Sequence, residues 1–103
     1  PSDMPPFFAT PTDVMVQKDC YIVVMDLPGF SLEDIEMEIE SSSLIINGTR
    51  RIDIWGNPDK FLIAERKAGH FSKVIKFPEN IETRRLEFNY ADGTLFILLN
   101  NPK

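Results

Sequence analysis

A chain of 103 residues with 43% hydrophobic and 26% charged residues is long enough for one hydrophobic core and too short for two ordinary domains. Its formal net charge of −5 argues against nucleic acid or an anionic membrane surface as a partner, because both attract cationic proteins. Cys20 is the sole cysteine, which excludes an intramolecular disulfide and favours the reducing cytoplasm. The longest apolar runs are too short to span a bilayer, so we expect no membrane segment and no signal peptide.

The first residues indicate an arm that leads into a hairpin. Residues 1–12 hold much of the chain's proline, which removes backbone donors that helices and sheets need. Residues 14–16 and 20–26 are β-prone and flank a Lys-Asp turn, which predicts two strands. We therefore expect a proline-rich N-terminal arm over 1–12 and a single domain over 13–103. Because the sequence starts without Met and ends abruptly, we also expect a domain cut from a longer protein.

Strand chemistry continues beyond a Leu-Pro-Gly break at 27–29, where proline fixes φ and glycine admits turn conformations. Residues 35–40 alternate between apolar side chains and glutamate, which predicts a strand with one buried and one solvated face. Residues 44–49 form the next predicted strand, with Gly48 as a candidate end or kink.

The second half of the chain begins with a long excursion over 50–60 that bears a short edge strand. Strand chemistry resumes over 61–65 and 71–77, and an Asp-Gly pair between 86–90 and 94–99 is a strong hairpin signal. No segment sustains the 3.6-residue period of a helix. About eight short strands with frequent turns predict an all-β fold, an antiparallel β-sandwich.

Three motifs follow one another along the chain, and in that order they carry a resemblance. The motifs are Asp26-Leu27-Pro28-Gly29-Phe30 with Glu33-Asp34-Ile35, Gly69-His70-Phe71 with Lys76-Phe77-Pro78, and Asp92-Gly93-Thr94-Leu95 with Asn101-Pro102-Lys103. They resemble the Leu-Pro-Gly turn, the Gly-x-Phe strand and the last hairpin of the alpha-crystallin domain of small heat shock proteins. The resemblance covers about residues 14–103 and implies an immunoglobulin-like sandwich.

The separation between Gly48 and Glu65 resembles the loop-bearing branch of the family, found in plants, archaea and bacteria. In that branch the protruding loop carries a strand that pairs with a neighbouring subunit. The resemblance therefore implies a homodimer by strand exchange, and larger homo-oligomers of the full-length protein. Trp55 is then an interface anchor, with a core position as the alternative. The dimer residues implied are Ile52, Asp53, Ile54 and Trp55 on the loop, Val14, Met15 and Val16 on the first strand of the partner, and Lys73.

Three positions depart from the family pattern. Lys73 stands where arginine is usual, and lysine does not reproduce the planar bidentate contacts of arginine. Phe88 replaces a small residue and Thr94 an apolar one, which reshapes the surface near the last hairpin. The sequence carries no Ile-x-Ile tail after Lys103, the element that the family uses for higher assembly.

The resemblance also implies a binding groove between two edge strands. An extended peptide can add to a sheet edge and bury apolar side chains beside it. The predicted lining is Met37 and Ile39 from one strand and Leu86 and Phe88 from the other. Phe7 and Phe8 in the arm supply a second apolar patch suited to promiscuous binding.

Residues that often carry chemistry have simpler interpretations here. His70 lies at a bend with no signalled partner that would orient a general base, so it predicts a solvated turn residue. Cys20 begins a strand without a Cys or His neighbour, which favours a packed thiol over a redox or metal role. Glu36, Glu38 and Glu40 match a solvated strand face better than a cation site. We therefore expect no enzyme activity, no cofactor and no metal.

The function implied is that of an ATP-independent molecular chaperone, a holdase that binds exposed hydrophobic segments of unfolding proteins and prevents aggregation. The alternative is a co-chaperone module of the same sandwich type, which docks one folded partner.

Overall fold

The computed structural model describes residues 10–51, 56, 58–66 and 68–101, and in them the chain forms seven strands and one 3-10 turn. All strand pairs are antiparallel, in one sheet of order β1-β2-β7-β6 and a second of order β3-β4-β5. The predicted antiparallel all-β sandwich is confirmed. The strands are β1 Thr12–Gln17, β2 Cys20–Asp26, β3 Ile35–Glu40, β4 Ser43–Arg50, β5 Gly69–Lys76, β6 Leu86–Ala91 and β7 Thr94–Leu99, and the 3-10 turn is Leu32–Asp34.

The core lies between the two sheets and follows the period-two alternation of their strands. Val23 and Met25 of β2 are 0% exposed, as are Leu44 and Ile46 of β4. Because alternate residues of a strand point to opposite faces, these residues form continuous inward rows. The glutamates of β3 point outward and are exposed, so the predicted division of that strand into buried and solvated faces is confirmed.

Two hairpin turns use left-handed backbone conformations, as their sequences predict. Lys18 and Asp19 have φ of 54° and 68°, and Asp92 and Gly93 have φ of 54° and 73°. Positive φ at both central residues is the requirement of the type I′ turn, whose twist matches that of the flanking strands. These turns fix the registers of β1 with β2 and of β6 with β7.

Gly48 neither ends nor kinks its strand, since β4 continues through it to Arg50. Its role is to admit the Phe71 ring, because a Cβ atom at this position would collide with that ring. Phe71 in turn meets Phe30 edge to face, with ring centroids 5.3 Å apart and an interplanar angle of 87°. The glycine is therefore required by the close approach of the Phe71 ring of β5 to β4.

The segment that crosses from β5 to β6 is fixed by a polar cluster. The Tyr21 hydroxyl donates to the Glu79 carboxylate at 2.9 Å, and the Arg84 guanidinium donates to the same carboxylate at 2.8 Å. Arg84 also donates to the Asp19 carbonyl oxygen at 2.6 Å and lies 4.7 Å from the centre of the Tyr21 ring. The Tyr21 hydrogen bond, followed by the Arg84 contacts, lowers the pKa of Glu79 below its ordinary value of 4.5.

One predicted strand is wrong. Residues 61–65 form no strand, and Phe61, Leu62 and Ile63 are 64%, 90% and 75% exposed. A strand exists only where a second strand supplies hydrogen-bond partners, and this segment has none within the described part of the chain. The described residues accordingly contain seven strands where about eight were expected.

Candidate interaction surfaces

The β1 edge of the four-stranded sheet is open. β1 pairs with β2 on one side, and among the described residues no strand lies on the other side. Val14, Met15 and Val16 are 44%, 43% and 68% exposed, so both faces of the strand are accessible. An apolar edge strand with unpaired backbone groups is a template for pairing with another chain. These residues were predicted to be half of a dimer contact, and that contact stays a prediction.

Lys73 lies on β5, the outermost strand of the other sheet. It stands opposite Ile46, which is 0% exposed, so the lysine stem points toward the sheet interface and is half-buried. Within the described residues, Lys73 forms no ion pair. The loop residues predicted to share this contact, Ile52, Asp53, Ile54 and Trp55, lie outside the described residues.

The predicted groove residues lie on the two remaining edge strands, β3 and β6. All four point to the inner face, since each stands opposite a buried residue of the adjacent strand. The structure packs Met37, Ile39 and Leu86 against one core cluster and leaves them half-buried. Phe88 is 48% exposed and is not part of that cluster. The edges of both sheets thus present apolar side chains beside unpaired backbone.

The residues considered for chemistry lie on three different strands: the glutamates on β3, Cys20 at the start of β2 and His70 on β5. His70 is exposed at the start of β5, and the Cys20 thiol donates to the Asn100 side-chain oxygen at 3.6 Å. Over the described ranges, no group of three or more His, Cys, Asp or Glu side chains could hold a metal ion. In that same part of the chain, no helix is long and apolar enough to cross a membrane.

Two apolar surfaces were not predicted. One is the exposed triplet of Phe61, Leu62 and Ile63 in the excursion. The other lies on the outer face of the four-stranded sheet. The signal for the second surface is in the sequence, because β2 and β7 are near-continuous apolar runs where alternation is expected for a half-solvated sheet. We call it the outer patch, formed by Met15, Ile22, Val24, Phe96 and Leu98.

Comparison with known proteins places this geometry in a family. The profile described as Hsp20/alpha crystallin family matches residues 13–103. The chain is 31% identical over 93 residues to a 17.7 kDa class II heat shock protein of Arabidopsis thaliana, which covers 88% of this chain and 60% of that protein. It is 33% identical over 90 residues to a 17.3 kDa class II heat shock protein of Solanum peruvianum, covering 86% and 58%.

A solved structure agrees with the sequence matches. Heat shock protein 16.0 from Schizosaccharomyces pombe superposes with a TM-score of 0.78 at 29% identity, and the match covers 90% of this chain and 86% of that one. The two plant relatives are longer, and the chain spans about three fifths of their length.

Proposed function

Because the chain belongs to the Hsp20/alpha crystallin family, we propose that it is the core domain of a cytoplasmic, ATP-independent chaperone that binds exposed hydrophobic segments of unfolding proteins. The observation that carries the proposal is the combination of apolar side chains with unpaired strand edges on β1, β3 and β6. This combination suits addition of an extended peptide. In this proposal the protein uses no cofactor and catalyses no reaction.

We assign client binding to the groove side of the sandwich, along β3 and β6. An unfolded segment would pair its backbone with an open edge and cover Met37, Ile39, Leu86 and Phe88. Complete burial of a phenylalanine side chain contributes about 1.5–3 kcal/mol, so covering the exposed half of Phe88, 48%, contributes about 1 kcal/mol. Gains of this size for each side chain give weak and adaptable binding, which suits a protein that receives many sequences.

Homodimerisation by strand exchange accounts for the open β1 edge. The excursion after β4 of one subunit would supply a strand to β1 of the other, and Lys73 would meet a carboxylate of the partner as a point charge. The excursion offers two apolar stretches for this strand. One is Ile52, Asp53, Ile54 and Trp55; the other is Phe61, Leu62 and Ile63, which are exposed in the single subunit. In a longer protein, such dimers would assemble into larger homo-oligomers.

Heat-induced aggregation of malate dehydrogenase, followed by light scattering, tests the chaperone function. We expect the chain to lower scattering in a dose-dependent way, equally with and without ATP. Phe88→Ser should weaken protection, because it removes the most exposed groove side chain. Val74→Ser is the matched control, since Val74 is 55% exposed on the outer face of β5, away from the groove.

Two outcomes would contradict the proposal. Absence of protection at any ratio of chain to client would remove the holdase function. Saturable binding to one native protein from the same cell, with no protection of the client, would instead favour the co-chaperone alternative. Melting temperatures of both variants must match that of the parent, so that lost protection is not lost folding.

A further inference from the structure

The outer patch is organised as two rows that cross the four-stranded sheet. In one row Met15, Ile22 and Leu98 stand side by side on β1, β2 and β7, and Glu87 of β6 completes it. In the other row Val24 stands beside Phe96. Residues directly opposite each other in a sheet project from the same face, so these side chains form one continuous surface.

The second row has polar ends. Asp13 of β1 stands opposite Val24, and Asn89 of β6 stands opposite Phe96. Phe96 is 43% exposed, and it lines a shallow depression together with Ile22 and other residues of the two rows. The outer face of the sheet is therefore apolar at its centre and polar at both edge strands.

The outer face of the other sheet is different. Its rows are Glu36 with Asn47 and Ser72, and Glu40 with Ser43 and Lys76. A single row there holds two apolar side chains, Ile45 and Val74, next to Glu38. Sheets that face water on one side usually alternate apolar and polar residues, as this sheet does. The apolar centre of the four-stranded sheet is thus a local property that the sandwich core does not require.

The charges around the outer patch are mainly negative. Asp13 ends one row, Glu87 ends the other, and Asp26 is the last residue of β2 on the same face. The Glu87 carboxylate is held by the side-chain amide of Asn100 at 2.8 Å. A bound segment would meet acidic groups on both sides of the apolar centre.

We propose that the outer patch is a second binding site for unfolded proteins, specific for a short apolar segment flanked by lysine or arginine. A second copy of this chain is a poor occupant, because stacking two identical faces would set Asp13, Asp26 and Glu87 of each against the same groups. Pairing at β1 extends the sheet sideways and leaves its outer face open. The outer patch is distinct from the groove along β3 and β6. Only the identification of its ligand as an unfolded protein rests on the proposed chaperone function.

Geometry sets the length of the segment. Asp13 and Glu87 lie on the two outermost strands of a four-stranded sheet and in different rows. They are therefore separated by three strand spacings, about 14–15 Å, and by two residues along the strands, about 7 Å, which makes about 16 Å on the diagonal. An extended peptide advances about 3.3 Å per residue, so two basic residues that reach both carboxylates are separated by about four residues. Those four residues lie over the outer patch. The site therefore prefers an extended peptide that lies across the strands and carries two basic side chains separated by a short apolar stretch.

Fluorescence anisotropy with two labelled peptides tests the proposal. The probe is Gly-Lys-Leu-Val-Phe-Leu-Lys-Gly, and the comparison peptide has glutamate in place of both lysines. We expect the lysine peptide to bind about tenfold more tightly at low salt, as two exposed ion pairs would give. The preference should largely disappear at about 1 M NaCl, where charges are screened within about 3 Å.

Variants assign the binding to the outer patch. Phe96→Ser should weaken both peptides at least about fivefold, because it removes apolar contact area at the centre. Glu87→Gln should lower the preference for lysine and leave the glutamate peptide unaffected. Val74→Ser, on the outer face of the other sheet, is the matched control and should change neither. Far-UV circular dichroism and melting temperature confirm that each variant is folded.

Three results would overturn the inference. The first is equal affinity for the two peptides, and the second is unchanged peptide binding in Phe96→Ser. The third is concentration-dependent self-association that Phe96→Ser abolishes, because that result would assign the outer patch to a second copy of this chain. The outcome is separable from the chaperone proposal. If Phe96→Ser retains full protection of malate dehydrogenase and full peptide binding, the outer patch fails while the groove function stands. If the chain binds the lysine peptide through Phe96 but protects no client, the chaperone proposal fails while the outer patch stands as a peptide-binding site.

Discussion

Leu62→Ser is the sharpest test of strand exchange, because this side chain is 90% exposed in the single subunit. Its removal should leave the stability of the subunit unchanged, since it makes little contact there. Full burial of a leucine contributes about 2 kcal/mol, and a symmetric dimer contains the contact twice. The dimer should therefore lose about 4 kcal/mol, which corresponds to a dissociation constant roughly a thousand times larger.

Sedimentation velocity over a range of concentrations measures this constant, and thermal unfolding of the monomer measures the stability. Val74→Ser is the control, because Val74 is also an exposed apolar side chain, at 55%, and it lies on the outer face of the three-stranded sheet opposite Ile45. Val16→Ser on β1 should weaken the dimer as well. If the parent dimerises and Leu62→Ser dimerises equally well, the exchanged strand is not residues 61–63. Replacement of 52–55 by a Gly-Ser linker then decides whether the other stretch supplies it.

Three further predictions concern the stability of the fold. Gly48→Ala should lower the free energy of unfolding, measured by denaturant titration, by about 1–3 kcal/mol, because the added Cβ collides with Phe71. Adding Phe71→Leu to the same chain should recover part of that loss. If the effects of the two substitutions on the free energy of unfolding simply add, the packing argument is contradicted. Tyr90→Phe removes the hydrogen bond of 2.6 Å to the Leu27 carbonyl and should lower the melting temperature by about 4–8 °C, whereas no change in calorimetry would mean that the bond is not maintained in solution. The Tyr21 hydrogen bond and the Arg84 contacts lower the pKa of Glu79 below its ordinary value of 4.5 in the fold, so its contribution is complete above that value and is lost as the pH falls through the lowered pKa. The melting-temperature gap between the parent and Glu79→Gln should therefore close as the pH is lowered below 4.5, and a constant gap would refute the assignment.

The sequence was sufficient for features that depend on local chemistry. The alternation over 35–40 identified a strand and its solvated face, and the Lys-Asp and Asp-Gly pairs located two tight turns. These predictions succeeded because each depends on a few neighbouring residues whose backbone preferences act together. The family resemblance carried by the three motifs is likewise confirmed by the match over 13–103.

Prediction failed where a residue depends on a distant partner. Residues 61–65 have the composition of a strand, yet they form none, because none of the strands in the described ranges pairs with them. Gly48 was interpreted as a candidate end or kink of its strand. In the structure it instead admits the Phe71 ring from another strand, with which a Cβ atom would collide. The contact between Tyr21 and Glu79 joins residues separated by 58 positions and has no local signal.

Residue order and composition alone therefore determined the all-β class, the two tight turns and the inward row of β3. Tertiary structure decided which strands became edges and which apolar residues stayed outside. The placement of β7 between β2 and β6 brings Phe96 and Leu98 beside Val24 and Ile22, and so creates the outer patch. The physical reason is that strand pairing depends on contacts between residues far apart in the sequence, which form only when the whole core assembles. Turns and alternation, in contrast, are determined by adjacent residues.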